Sequence, residues 1–219
     1  MPPEILTKEQ VALLKKIGGA RSLKERFYLT GGTPLAAFYL QHRLSEDLDF
    51  FSENEVDVST LNVFFKQIKD QLGVDKIDFE QSFNRNLFFL KFKSGIIKTE
   101  FTYFPFQRIE KGAEQYGVDV DSLLDIAVNK LFTIYQRTKA RDYIDLFFIC
   151  HNQDLAVSDL VKKARVKFDT HIDPIQLGAQ FVRAMEATDY PRMIRHVRPE
   201  EWQKFFVEEA KKLKSEVFE

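Results

Sequence analysis

A single cysteine, Cys150, is all the thiol chemistry the 219 residues contain. One thiol excludes an internal disulfide, and its apolar setting, LFFIC, reads as a buried structural cysteine rather than a nucleophile. Long hydrophobic runs are missing too. No stretch approaches the roughly 20 apolar residues that a bilayer crossing demands, which argues against a membrane protein. The opening MPPEILTKEQVALLKK has neither the apolar core nor the small-residue cleavage site of a signal peptide, so a cytoplasmic protein is the expectation. Excess charge of either sign is absent as well: 32 basic residues face 33 acidic ones, for a net charge of −1. No global field draws such a chain to nucleic acid, and any contact of that kind has to be local. Internal repeats and low-complexity linkers are also lacking, which leaves an ordinary globular composition, 44% hydrophobic and 30% charged.

What the chain has in quantity is phenylalanine, 22 residues, most of them at strand or helix spacings that mark core positions. Lys8 to Ile17 reads as a helix, and Phe27 to Leu29 as a short strand running into Gly31-Gly32. Pro34, at a first-turn position, opens a helix expected to reach about His42. Asp47 to Phe51 is a second strand, and Val58 to Leu72 an amphipathic helix with Leu61, Phe64, Phe65 and Ile68 on one side. From Asp75 the period switches to two, giving an antiparallel meander over Ile77 to Phe79, Leu87 to Phe92 and Ile97 to Phe104. After a loop from Pro105 to Gly117 the pattern is helical: Val120 to Arg137, Ala140 to His151, Val157 to Phe168, Pro174 to Met185 and Glu200 to Val217. The expected class is therefore α+β, a mixed sheet flanked by helices over residues 1–118 and a C-terminal helical lobe over 119–219.

Chemistry concentrates in three places. Asp47 and Asp49 are two apart in a strand, so both carboxylates face one side, where a hard divalent cation such as Mg²⁺ relieves their repulsion; a plain solvated turn is the alternative. Upstream, Gly31-Gly32 ends a strand and begins a helix, an arrangement that exposes backbone N–H groups to phosphate or simply meets the needs of a tight turn. Glu100 interrupts an apolar strand and is the candidate third carboxylate, or else faces water with Lys98 and Thr102. On the helices, Lys130, Arg141, Asp142 and Asp145 either assist at a triphosphate or tie two helices together by ion pairs.

Taken together, LTGGTPLAAFYLQHRLSEDLDFF and NKLFTIYQRTKARDYIDLFFI closely resemble the nucleotidyltransferase AbiEii/AbiGii toxin family, within the polymerase-beta-like nucleotidyltransferase fold, over roughly residues 25 to 150. The Gly-Gly turn, His42-Arg43, the SEDLD run and Arg141-Asp142 with Asp145 occur in the family's order. The resemblance implies Asp47 and Asp49 as metal ligands, less securely joined by Glu100. It implies Gly31 and Gly32 as the phosphate turn, with Thr33, Arg43 and Lys130 on the nucleotide, and Lys130, Arg141, Asp142 and Asp145 among the catalytic residues. One departure stands out: where many relatives have Gly-Ser, Gly32 carries no hydroxyl, and that role is lost or passes to Thr33.

The activity so implied is transfer of a nucleoside monophosphate from a nucleoside triphosphate to a hydroxyl, with Mg²⁺ or Mn²⁺, by the toxin of a toxin–antitoxin pair. The acceptor would be RNA (tRNA included), protein or a small molecule, and a cognate antitoxin the expected partner. Arg192, Arg195, His196 and Arg198 form the best local basic run for RNA, or a solvated turn. Two rival classes remain: an antibiotic-type small-molecule transferase of the same fold, and a relative that binds a nucleotide or a partner without catalysis.

Overall fold

The first helix begins at a reciprocal cap, in which the Thr7 hydroxyl accepts from the Gln10 N–H and the Gln10 side chain accepts from the Thr7 N–H. The structure, a computed structural model, describes residues 5–213. It divides into two units: one holds the described residues through Ala37, with Ser45–Gln107 and Lys111–Ser122; the other holds Phe38–Leu44, Arg108–Glu110 and the described residues from Leu123 onward. The chain thus passes between units several times, rather than once near residue 118.

In the first unit, α1 (Lys8–Gly19) and the short α2 (Arg21–Lys24) precede β1 (Tyr28–Thr30). A helical turn, α3 (Gly32–Pro34), continues as a π-helical stretch Leu35–Leu40, shorter than the helix to His42 that the sequence suggested. Then come β2 (Leu48–Ser52), α4 (Val58–Leu72), β3 (Lys76–Ser82), β4 (Arg85–Phe92), β5 (Gly95–Tyr103), β6 (Glu114–Gln115) and β7 (Val118–Val120). The Asp57 side chain caps the start of α4, and Gly73, at φ 69°, closes it in the left-handed conformation. Among the described residues, the seven strands form one mixed sheet in the order β3-β4-β5-β2-β1-β7-β6, with β2 parallel to β5 and β1 parallel to β7. The expected meander is β3 to β5. The last two strands lie where a loop and a helix start were expected, because runs of two and three residues are too short to show a period.

Alternation along β2 decides how this sheet is covered: Leu48 and Phe50 are buried, while Asp49 and Phe51 on the opposite face are half-buried. Phe50 stacks on Phe101 of β5 at 4.9 Å, and Phe65 of α4 stacks on Phe88 of β4 at 4.2 Å and meets Phe101 edge-on at 5.9 Å. Phe27 adds an edge-to-face contact with Phe101 at 5.0 Å. Phenylalanine therefore builds the core under one face, while the other carries polar groups beside an aromatic contact of Phe51 with Phe104 at 4.6 Å.

The second unit is built from α5 (Leu123–Gln136), α6 (Ala140–Gln153), α7 (Val157–Lys167), α8 (Pro174–Val182), a 3₁₀ turn (Arg183–Glu186) and α9 (Pro199–Leu213). The part of the last expected helix beyond residue 213 lies outside the described residues. Tyr143 is the anchor, stacked on Trp202 at 6.1 Å, edge-on to Phe206 at 5.0 Å and donating its hydroxyl to the Gln180 carbonyl at 2.6 Å. Asp125 accepts from the Ile109 and Glu110 N–H groups and from Lys167, which holds the Arg108–Glu110 segment to α5 and α7.

Phe101 touches four aromatic partners and is fully buried. Truncation to Ala leaves a cavity behind the polar face and is expected to lower unfolding free energy by about 3–5 kcal/mol, measured by denaturant titration.

Candidate active site

The polar face of the sheet is assembled by strand register. Asp49 is the register partner of Thr30 on β1 and of Glu100 on β5, so these three side chains share a face on adjacent strands. Gly31 directly follows Thr30 at φ 83°, and a Cβ there would lie 3.1 Å from Asp49 Oδ2. Two constraints therefore meet at Gly31: a backbone conformation L side chains rarely adopt, and a carboxylate close against it. The loop before β2 is held from behind. The buried Thr33 hydroxyl donates to the Asp47 carbonyl and lies 2.9 Å from Ser45 Oγ, and the Gln10 amide donates to the Glu46 carbonyl at 2.7 Å. Thr33 thus fixes the backbone of Asp47, and its hydroxyl is turned into the protein instead of replacing the serine of the related turn.

Each acid on this face has a cationic neighbour. Lys98 Nζ lies 3.0 Å from Asp47 Oδ2, and Arg85 grips Glu100 with Nε and Nη2, each at 2.6 Å from a carboxylate oxygen. Thr102 donates to Glu100 Oε1 at 2.7 Å. Glu100 is therefore buried and paired, not turned to water. Burial works against its ionisation, but the hydrogen bonds from Arg85 and Thr102 outweigh this and hold its carboxyl below the usual range. The same bond, with the nearby Asp49 charge, pushes the Arg85 guanidinium up.

Asp47, Asp49 and Glu100 do share one face, since Asp47 meets Lys98 and Asp49 pairs with Glu100 two positions further along β5. Among the described residues, however, no three His, Cys, Asp or Glu side chains are gathered closely enough to hold a metal ion. The expected three-carboxylate cluster is instead spread along the strands, with Lys98 and Arg85 supplying the positive charge it requires. The donor set itself, carboxylate oxygens beside an open glycine turn, has the chemistry of a hard divalent cation site.

The second group of expected residues forms a separate arrangement within the second unit. Asp145 is completely buried and accepts from Arg43 Nε at 2.6 Å and Nη2 at 2.8 Å, from His42 Nε2 at 2.8 Å and from Lys130 Nζ at 2.6 Å. Lys130 also reaches Asp142 Oδ1 at 2.7 Å, and Arg137 bonds the other oxygen of Asp142. Burial opposes the charge on Asp145, yet Lys130 and Arg43 hold its carboxyl well below the carboxylate range. Asp142 shifts the same way, its burial offset chiefly by Lys130. Burial pushes His42 down, so the ring is neutral and donates through Nε2, while Nδ1 has no hydrogen-bond partner among the described residues. The helix-tying ion pairs foreseen for Lys130 and Asp145 are present. Arg43 belongs to the same knot, and Arg141 is exposed and, among the described residues, pairs with neither Asp142 nor Asp145.

Backbone bonds tie the same region together: Leu44 N–H donates to the Arg192 carbonyl, and the Ile194 and Arg195 N–H groups donate to the His42 carbonyl. Arg192, Arg195, His196 and Arg198 are exposed, but Arg195 lies over the Phe148 ring at 4.9 Å and Arg198 pairs with Glu201 at 2.8 Å. Sequence reading missed Arg85, Lys98 and Arg137. For Arg85 the signal was the two-residue Lys93-Ser94 turn, which sets Arg85 opposite Thr102 and so diagonal to Glu100.

A family model, described as nucleotidyl transferase AbiEii toxin of a type IV toxin–antitoxin system, matches residues 13–213. An uncharacterised protein of Aquifex aeolicus is 30% identical over 164 residues, covering 74% of this chain and 76% of that protein. Among solved structures, the Helicobacter pylori protein JHP933 is similar with a TM-score of 0.64 at 19% identity, over 95% of this chain and 90% of that one. A second H. pylori structure, provisionally described as a nucleotidyltransferase, gives 0.63 at 20% identity, over 97% and 95%. These likenesses show a shared fold. No described helix is long and apolar enough to cross a membrane.

The Asp145 knot sets a test of stability against pH. Its depressed carboxyl contributes stability that is complete above the unfolded pKa, near 4, and is lost as pH falls toward the lower folded value. Asp145→Asn leaves Arg43 and Lys130 with less counter-charge and is expected to cost about 3–5 kcal/mol at pH 7. In denaturant titrations the gap from wild type should narrow as pH drops below about 4; a gap that stays constant to lower pH would show that the charge on Asp145 contributes nothing.

Proposed function

This chain belongs to the nucleotidyl transferase AbiEii toxin family, and from that premise we propose that it moves a nucleoside monophosphate from a nucleoside triphosphate to a hydroxyl acceptor on the acidic face around Asp49. The observation that carries this reading is the position of Asp49. It stands against the Gly31 turn on one side and beside Glu100 on the other, so phosphate-binding backbone and carboxylate donors converge on one side chain. Asp49 and Asp47 would hold the divalent ion, Mg²⁺ or Mn²⁺; Glu100, gripped by Arg85, would join them only on release from that pair. When bound, that ion supplies charge neutralisation for the triphosphate and lowers the pKa of the attacking hydroxyl.

The residues of the chain do the rest by placement. The Gly31-Gly32 turn presents backbone N–H groups to the phosphates and adds no side chain of its own. Thr33 and Gln10 hold the loop that aims Asp47. Asp145 has no exposed surface, so it acts as a positioning residue, setting the orientation of Lys130, which keeps about a tenth of its side chain exposed. RNA is the proposed acceptor, tRNA included, and the family's description as a toxin–antitoxin component supports a toxin role with a cognate antitoxin and a cytoplasmic setting, where triphosphates and RNA are abundant.

Purified protein incubated with each α-labelled nucleoside triphosphate, Mg²⁺ and total RNA should transfer label, and Asp49→Ala should reduce transfer by about a thousandfold or more. Absence of labelled RNA, protein or small acceptor with the wild-type chain would sink the transfer reading.

A further inference from the structure

Two cations on the acidic face are left without a task by the transfer reading, on which the following rests. We propose that Lys98 and Arg85 are exchangeable counter-ions: they occupy Asp47 and Glu100 while no divalent ion is bound, and turn to the triphosphate once it is.

Charge bookkeeping is the first argument. Asp47, Asp49 and Glu100 are three carboxylates on one face, and Lys98 and Arg85 are cations held against two of them. A divalent cation carries the same charge as this pair, so its arrival makes both side chains redundant where they stand and available to a new anion. A triphosphate is such an anion, and it arrives with the metal.

Exposure is the second. The Arg85 side chain is 52% exposed, Lys98 29% and Asp47 39%, so these three reach solvent and the Lys98–Asp47 pair is weak, whereas Glu100, at 6%, is buried and its bond to Arg85 is the firmer of the two. Lys167 and Asp125 show the contrast, a pair with side chains 1% and 0% exposed that is fixed in the fold. Neither Lys98 nor Arg85 is needed for the strand register, which is carried by the backbone of β4 and β5 and by Phe88 and Phe101 behind it. When Arg85 leaves, Glu100 keeps the hydroxyl of Thr102.

Ligand geometry is the third. Arg85 already binds a planar carboxylate through two parallel N–H donors, and the same fork fits two oxygens of a phosphate. Lys98 offers three donors on a flexible stem and suits a point charge instead. Both start from β-strand positions on the face that holds Asp49, so the reorientation is a change of side-chain rotamer and requires no backbone movement.

The test separates two affinities that a structural role would move together. Mn²⁺ binding is measured by calorimetry or by the paramagnetic signal of the free ion, and binding of an α,β-methylene nucleoside triphosphate is measured in saturating Mg²⁺. In Lys98→Met and Arg85→Met, Mn²⁺ should bind roughly tenfold tighter, because a competing cation is gone, while the triphosphate analogue should bind roughly tenfold weaker. Lys98→Arg should restore both values toward wild type. Mn²⁺ affinity that is unchanged or lower in both Met variants, or analogue affinity that does not fall, overturns the exchange. Should Mn²⁺ bind in a way that Asp49→Asn abolishes but Lys98→Met leaves unmoved, the exchange falls while the metal reading stands. Mn²⁺ binding indifferent to Asp49→Asn, or absent from every chain, removes the metal reading and this proposal with it.

Discussion

The parallel pairing of β2 with β5 is the constraint on which the polar face depends. It sets Leu48 against Thr99, Asp49 against Glu100 and Phe50 against Phe101, so one alignment fixes both faces of the sheet. The Phe50–Phe101 stack secures it from beneath, since a slip by one residue would carry the rings to the polar side and the acids into the core. Nothing in the acids favours their approach, because like charges on neighbouring strands repel. The apolar face holds them together, and the cations on the polar face make the arrangement tolerable. Core packing and site charge are thus two readings of one register.

Acid–base pairing takes two physical forms in this chain. On the sheet, Lys98 meets Asp47 at the edge of water, where ion pairs contribute little, and the half-exposed Arg85 reaches in to Glu100. In the second unit, Asp145 is withdrawn from water completely, and three donors share one carboxylate. Removing Arg43 or Lys130 leaves that carboxylate short of counter-charge in a medium that cannot solvate it. The first form suits groups that must change ligands, and the second suits a frame. The two were indistinguishable as strings of letters, since in both the acids stand far along the chain from their cations, 15 and 51 residues on the sheet and up to 102 in the second unit.

Much of the fold was legible. The α4 helix, from its Asp57 cap to its Gly73 stop, follows directly from periodicity and capping, and the meander of β3 to β5 from alternation and its two-residue turns. The strands β6 and β7 were not legible: Val118–Val120 pairs with β1 through two register partners, too few for a pattern, and only Val120 was read, as the start of the helix that follows. For the polar face, Asp47, Asp49 and the Gly-Gly turn could be found from sequence because they are close along the chain. Arg85 and Lys98 could not be assigned, because their partners depend on pairing between strands and on rotamers that only packing selects. Arg43 shows the same limit. Its sequence neighbours are those of the polar face, whereas its spatial neighbour, Asp145, is 102 residues away.

The substitution of glycine for serine at position 32 then has a physical account. In a Gly-Ser turn the serine hydroxyl is an available phosphate donor; here the nearest hydroxyl, on Thr33, is buried and bound to the Asp47 carbonyl. That bond fixes the residue before β2, the one that meets Lys98. The hydroxyl nearest along the chain to this turn therefore serves to hold the backbone of the first aspartate. Gly31 becomes the residue least open to change, because any Cβ there would meet both an unfavourable φ and the Asp49 carboxylate at 3.1 Å. Gly32, which opens the helical turn, carries no such double constraint. The turn and the aspartates are accordingly one device, in which the backbone of the first is shaped around the side chain of the second.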